Sequence, residues 1–142
     1  GMQTLKAVAN VADGFEEKTE LYQKLFHHLN ISHPDDLISW TYNPETTNRK
    51  IAQISELVLE VASSGDPVAT KIVESGAEHL FQLYMNLVNR LKFIDPPVMF
   101  AGGLLTSETL LQKLLIKKMG LKDAPCPKYT PVVGAALMAQ IQ

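Results

Sequence analysis

The sequence predicts a helix-rich α/β domain, and three observations carry that expectation. Apolar residues recur at spacings of three and four through most of residues 13–93. The period then breaks at Asp95-Pro-Pro97. Beyond it a continuous apolar run, Val98-Met-Phe-Ala101, feeds Gly102-Gly103 and a further helical pattern. The expected organisation is a single domain over 1–142, mainly helical over 13–93 and built as strand, turn and helix over 94–142.

The elements follow in order. Residues 17–29 place Leu21, Leu25, Phe26 and Leu29 on one face behind the turn signal Asp13-Gly14, which predicts an amphipathic helix. Ser32-His-Pro-Asp-Asp36 supplies a candidate cap, a proline for the first turn and two acids for the positive end of a helix dipole. A short helix is expected to about Tyr42, ended by Asn43-Pro44. A third helix starts at Thr46 or Thr47, carries Ile51, Ile54, Leu57, Val58 and Val61, and stops at Ser64-Gly65. Asp66-Pro67 restarts the chain as N-cap and first helical residue of the longest helix, near 25 residues, with Ala69, Ile72, Val73, Leu80, Leu83 and Leu87 on its apolar face.

Val98–Ala101 is too short for a helix and is bounded by proline and glycine, so it reads as a buried strand. Thr106 or Ser107 is expected to cap the next helix, whose inner face is Leu110, Leu111, Leu114 and Leu115 and whose end is Gly120. Ala124–Tyr129 can form a second short strand, which its prolines confine to a sheet edge. Pro131–Ala139 reads as a closing helix whose small residues permit tight packing against a neighbour.

Composition narrows the function classes. Thirteen Lys and Arg against fifteen Asp and Glu give a formal charge of −2, with no basic stripe interleaved with aromatics, which argues against nucleic acid. No apolar run approaches the roughly 20 residues of a membrane span, and no leader pattern opens the chain, so a cytoplasmic protein is expected. Gly1 before Met2 has the look of a purification-tag remnant. The lone Cys126 allows neither an intrachain disulfide nor a cysteine-built zinc or cluster site.

No complete active site is visible in the residues themselves. His27, His28, His33 and His79 lack metal-ligand spacing, and the pairs Glu16-Glu17 and Asp35-Asp36 are explained by helix first turns. Cys126 has only Lys128 as a basic neighbour, which is poor ground for a nucleophile. The methionines Met85, Met99, Met119 and Met138 read as core filler. The glycine pair is open to two readings. It is a tight turn needing positive φ, or it is bare backbone left for a ligand beside the donor groups of a helix start.

Several segments together resemble one family. They are Leu5-Lys-Ala-Val8 with Ala12-Asp-Gly14, Asp35-Asp-Leu-Ile38 with Tyr42, Ser64-Gly-Asp-Pro-Val-Ala69, Ala101-Gly-Gly103 and Pro131-Val-Val-Gly-Ala-Ala136. In that order they resemble the sugar kinases related to N-acetylglucosamine kinase and the BadF/BadG/BcrA/BcrD ATPases, within the actin, hexokinase and Hsp70 superfamily. The resemblance implies a truncated C-terminal lobe of a ribonuclease-H-like fold with a short parallel β element. It also implies ATP or ADP with Mg²⁺ as cofactor. Gly102 and Gly103 would be the adenosine motif, Ala52 a small residue touching the nucleotide, and helices 47–64 and 67–93 one wall of the cleft. Gly134 would lie in the closing helix at the interlobe hinge.

The departures from the family matter equally. An Asp-Gly-Gly-Gly-Thr type phosphate loop, the second phosphate loop and the aspartate that activates the sugar hydroxyl are all absent from these 142 residues. Phosphoryl transfer needs groups from both sides of the cleft. The chain alone is therefore expected to be inactive, and the resemblance transfers no sugar specificity. An unpaired edge at strand 97–102 would invite a homodimer or a separately supplied N-terminal lobe. A degenerate module of the same fold, kept for protein interaction or regulation, is the competing reading. The dehydratase-activating branch is disfavoured by the single cysteine, and a helical scaffold without ligand is the remaining alternative.

Overall fold

The computed structural model describes residues 1–15 and 17–140. Glu16, read above as a first-turn acid, lies outside the described residues. The chain forms eight helices among the described residues: α1 (Met2–Ala12), α2 (Glu20–Leu29), α3 (Pro34–Tyr42), α4 (Asn48–Ser63), α5 (Pro67–Leu91), α6 (Gly103–Thr106), α7 (Leu110–Met119) and α8 (Pro131–Gln140). They fall into two compact units, Gly1–Gly76 and Ala77–Gln142, with the division inside α5.

The first unit owes its cohesion to helix faces of period 3.6. On α1 the residues Thr4, Leu5, Val8 and Val11 are buried, on α2 Leu21, Leu25 and Phe26, and on α4 Ile54, Val58, Val61 and Ala62. α2 packs on α4, and α1 packs on α2, α3 and α4. Leu21, Leu25, Ile54 and Val61 have no exposed surface, and full burial of such side chains contributes about 1.5–3 kcal/mol each. Lys24 clasps the outer side, with Nζ 3.3 Å from Glu20 and 2.8 Å from Glu60. Helix α1 is an element that the sequence reading passed over, although Leu5, Val8 and Val11 carry the spacing that finds the others.

Asp66 joins two helix starts. Its Oδ2 accepts the Leu21 N–H at 3.0 Å, and its Oδ1 accepts the Ala69 N–H at 2.8 Å. One carboxylate, 5% exposed, thus satisfies orphan donors at the beginnings of both α2 and α5. Burial pushes the Asp66 carboxyl up, yet donors from Ala69, Leu21, Thr19 and Val68 outweigh it and hold the group below its usual value.

Other helix starts refine the expectations. Helix α2 begins at Glu20, so Glu17 precedes it, and Glu20 is its first-turn acid. At α3 the N-cap is His33 in place of Ser32. The Asp36 carboxylate accepts the N–H groups of both, at 2.9 and 3.2 Å, and these bonds hold its pKa low. Thr47 caps α4 by accepting the Lys50 N–H.

The second unit has a small core. Ala77, Phe100 and Leu115 are buried, and Val98, Leu105, Leu111, Leu114 and Leu121 pack around them. An ion pair between Lys118 and Glu78 ties α7 to α5. No strand is present among the described residues, which corrects the buried strand expected at Val98–Ala101. The segment has no regular structure; it turns Phe100 inward, but Met99 is 57% exposed. Its one backbone bond to the second expected strand runs from Phe100 N–H to the Pro125 carbonyl at 3.0 Å. Pro96, Pro97, Pro125 and Pro127 lack N–H donors, so the contact cannot grow into a ladder.

Helix α8 also departs from expectation. It forms over Pro131–Gln140, but none of its residues is buried, and Val132 and Met138 are 79% and 73% exposed. The neighbour for which its small residues are suited is not supplied within the second unit. No described helix is long and apolar enough to cross a membrane.

Candidate functional site

The chain from Val98 to Gln112 builds the best-defined candidate site. Phe100, anchored in the core, delivers the backbone to Gly102, which stands at φ 90° and ψ 148°. Side chains rarely adopt this left-handed conformation, so the turn itself accounts for Gly102. Gly103 differs. It opens α6 without a left-handed φ, and a Cβ built on it would meet nothing within 4 Å. Neither backbone strain nor packing among the described residues requires a glycine there. The space before it is open, and both glycines are exposed.

The turn is held from its C-terminal side. Helix α6 is a single turn whose N–H groups at Leu105 and Thr106 both donate to the Gly102 carbonyl at 3.0 Å. The Thr106 hydroxyl donates to the same carbonyl at 3.0 Å. Thr109 caps α7 in place of the expected Thr106 or Ser107, accepting the Gln112 N–H at 3.1 Å while its own hydroxyl donates to the Leu104 carbonyl at 2.7 Å. The Gln112 side-chain amide donates to the Leu105 carbonyl at 2.8 Å. The correction has a simple cause. Thr106 turns its hydroxyl back onto the Gly102 carbonyl, and Thr109 is the residue whose hydroxyl accepts a free donor of α7. The sequence reading missed Thr109 and Gln112, although Thr109-x-x-Gln112 is the spacing of a capping box.

The remaining candidates distribute as follows. Ala52 lies on the exposed face of α4 and belongs to the first unit, whereas Gly102 and Gly103 belong to the second. His27, His28, His33 and His79 are exposed, and His27 and His28 line a cavity of about 330 Å³ with Lys24 and Leu57. No group of three or more His, Cys, Asp or Glu among the described residues could hold a metal ion. Cys126 is exposed, with its thiol 3.6 Å from the Ala124 carbonyl. The first unit also holds a cavity of about 660 Å³ beside Gln3, Thr19, Val68 and Lys71. In the second unit, one of about 430 Å³ lies beside Tyr84, Asp95, Pro97 and Met119.

Charge separates the two units. Residues 1–76 contain eleven Asp and Glu against six Lys and Arg, and residues 77–142 four against seven. The chain's −2 is therefore −5 on the first unit and +3 on the second, which holds the glycine turn.

Comparison with known proteins adds a second line of observation. The profile of the BadF/BadG/BcrA/BcrD ATPase family matches residues 1–139. The chain is 32% identical to an N-acetyl-D-glucosamine kinase of Dictyostelium discoideum, over 98% of this chain and 46% of that protein. It is 28% identical to an N-acetylmuramic acid/N-acetylglucosamine kinase of Clostridium acetobutylicum, over 75% of this chain and 36% of that protein. The chain thus spans less than half the length of these relatives.

Proposed function

The chain belongs to the BadF/BadG/BcrA/BcrD ATPase family, and from that premise we propose that it is the C-terminal, nucleotide-side portion of an N-acetylglucosamine-kinase-like sugar kinase. In this reading Gly102 and Gly103 receive ATP or ADP against bare backbone, and Ala52 offers a second small surface to the nucleotide. The fold is that of a truncated ribonuclease-H-like lobe, and the compartment is the cytoplasm. The observation that carries the proposal is Gly103, a glycine that neither its own φ nor its protein neighbours require, facing open space. The positive balance of the second unit suits a phosphate-bearing ligand.

Mg²⁺ enters this reading with the nucleotide. The described residues offer no ligand cluster for it, so no step is assigned to a metal held by this chain. The 142 residues also lack the phosphate loops and the aspartate that would activate a sugar hydroxyl. We therefore expect this chain alone to bind nucleotide without transferring phosphate, since positioning and charge stabilisation from both sides of the cleft supply the rate. A separately supplied N-terminal lobe or a second copy of the chain would be the partner.

Calorimetric titration with ADP and Mg-ATP tests the reading, repeated on Gly103→Leu. Binding by the wild type and its loss in the folded variant is the expected result. Absence of binding at millimolar nucleotide would reject it. A second reading, a non-catalytic interaction module, is favoured by one observation, the apolar helix α8 with no buried residue.

A further inference from the structure

We infer that Gln112 is a positioning residue for the Gly102-Gly103 turn, setting the backbone shape that the ligand meets. The inference rests on the nucleotide reading above for what that turn receives. Its ground is the arrangement of the turn's own hydrogen bonds.

Helix α6 is four residues long. An isolated single turn is unfavourable, because several dihedrals are fixed for very few hydrogen bonds, and its last carbonyls have no partners within the helix. Two side chains at the start of α7 supply those partners. Thr109 donates to the Leu104 carbonyl, and Gln112 reaches back seven residues to the Leu105 carbonyl at 2.8 Å. Gln112 is itself held at the backbone by the Thr109 cap, and Leu115, one turn on, is in the core. The buried face of α7 is thus linked through one amide to the exposed end of the glycine turn.

The choice of side chain sharpens the point. Gln112 is only 7% exposed and stands beside Leu111 and Leu115, where an apolar side chain would bury more apolar surface. A polar group at such a position is costly unless bonded. What the amide contributes there is a donor. Without it the Leu105 carbonyl loses its side-chain partner, α6 keeps only the Thr109 brace from α7, and opening of the turn at Gly102 becomes easier. A ligand would then have to order the backbone on binding, which weakens affinity.

The test uses hydrogen exchange and ADP titration on the full chain, for wild type, Gln112→Met and Gln112→Glu. Both variants should exchange the Leu105, Thr106 and Ser107 amides roughly 10-fold faster while α5 keeps its protection. ADP affinity should fall roughly 3- to 10-fold, the size of one net hydrogen bond. The Gln112→Glu variant adds a readout that mere packing would not move. Its carboxylate cannot donate at neutral pH. As pH falls towards the usual glutamate value of about 4.3, which burial raises, the protonated form regains a donor, and protection should return towards that of wild type at the same pH. Unchanged exchange in both variants would overturn the inference, and so would faster exchange with unaltered ADP affinity. If wild type bound no ADP while exchange still responded, the nucleotide reading would fall and Gln112's hold on the turn would stand.

Discussion

Residues 1–76 bury their apolar side chains against one another, while much of the apolar surface in residues 77–140 faces solvent. In the first unit, thirteen hydrophobic residues from Leu5 to Val73 are buried, and the exposed large ones are Met2, Phe15, Ile38 and Tyr42. In the second, the buried hydrophobic residues among those described are Ala77, Phe100 and Leu115. Leu83, Leu87, Leu91, Phe93, Ile94, Val132 and Met138 are all exposed. Both stretches were written with helical periodicity. The difference teaches that an apolar face needs a partner face, and that the first unit supplies its own.

The largest expected effect breaks the first unit. Leu25→Ala removes a fully buried side chain between α2 and α4 and should cost about 2–5 kcal/mol by chemical denaturation. A loss under about 1 kcal/mol would mean that this core is looser than its burial indicates. Next comes Asp66→Ala, which uncaps two helices at once and should cost about 2–3 kcal/mol.

Asp66 also predicts a pH dependence confined to the first unit. Its folded pKa lies below the usual 3.8, so its stabilisation is fully present above that value and fades as pH falls through the folded pKa. The acid-induced loss of stability should be smaller in Asp66→Asn than in wild type. Parallel acid titrations of the two proteins would contradict this account.

In the second unit the effects on stability should be small and those on binding large. Gly103→Ala should leave thermal stability within about 0.5 kcal/mol, since its Cβ meets open space. Gly102→Ala should cost about 1–2 kcal/mol, because φ is 90° there. Equal costs at the two glycines would remove the distinction between Gly102, which its φ requires to be glycine, and Gly103, which it does not. Smallest of all, Met138→Ser on α8 should change stability by less than about 0.5 kcal/mol at low protein concentration. A larger loss would reveal that something covers this helix in solution.

The extent to which these features were legible differs by element. The bounds of α4 and α5 followed from caps and spacing, because Thr47 and Asp66 accept N–H groups three residues on and the fixed φ of Pro67 suits a first helical position. The Asp66 link to Leu21 spans 45 residues and left no local trace. At the site, the glycine turn was visible as a pattern, but the pattern could not tell a strained glycine from an open one. Only the built backbone separates Gly102, explained by φ, from Gly103, which neither φ nor a described neighbour explains. Thr109 and Gln112 had a signature in the sequence, yet the partner of the Gln112 amide is a carbonyl seven residues back, and that depends on where α6 ends.

By itself, then, the sequence determined the helices whose apolar period and caps are local, and the family resemblance. The tertiary structure alone decided three further matters. Val98–Ala101 forms no ladder, because neighbouring prolines withhold the donors. Asp66 serves two helices, because folding brings the start of α2 to the start of α5. Helix α8 remains uncovered, because burial is a property of the surface that meets a helix, and periodicity within the helix cannot say whether that surface is there.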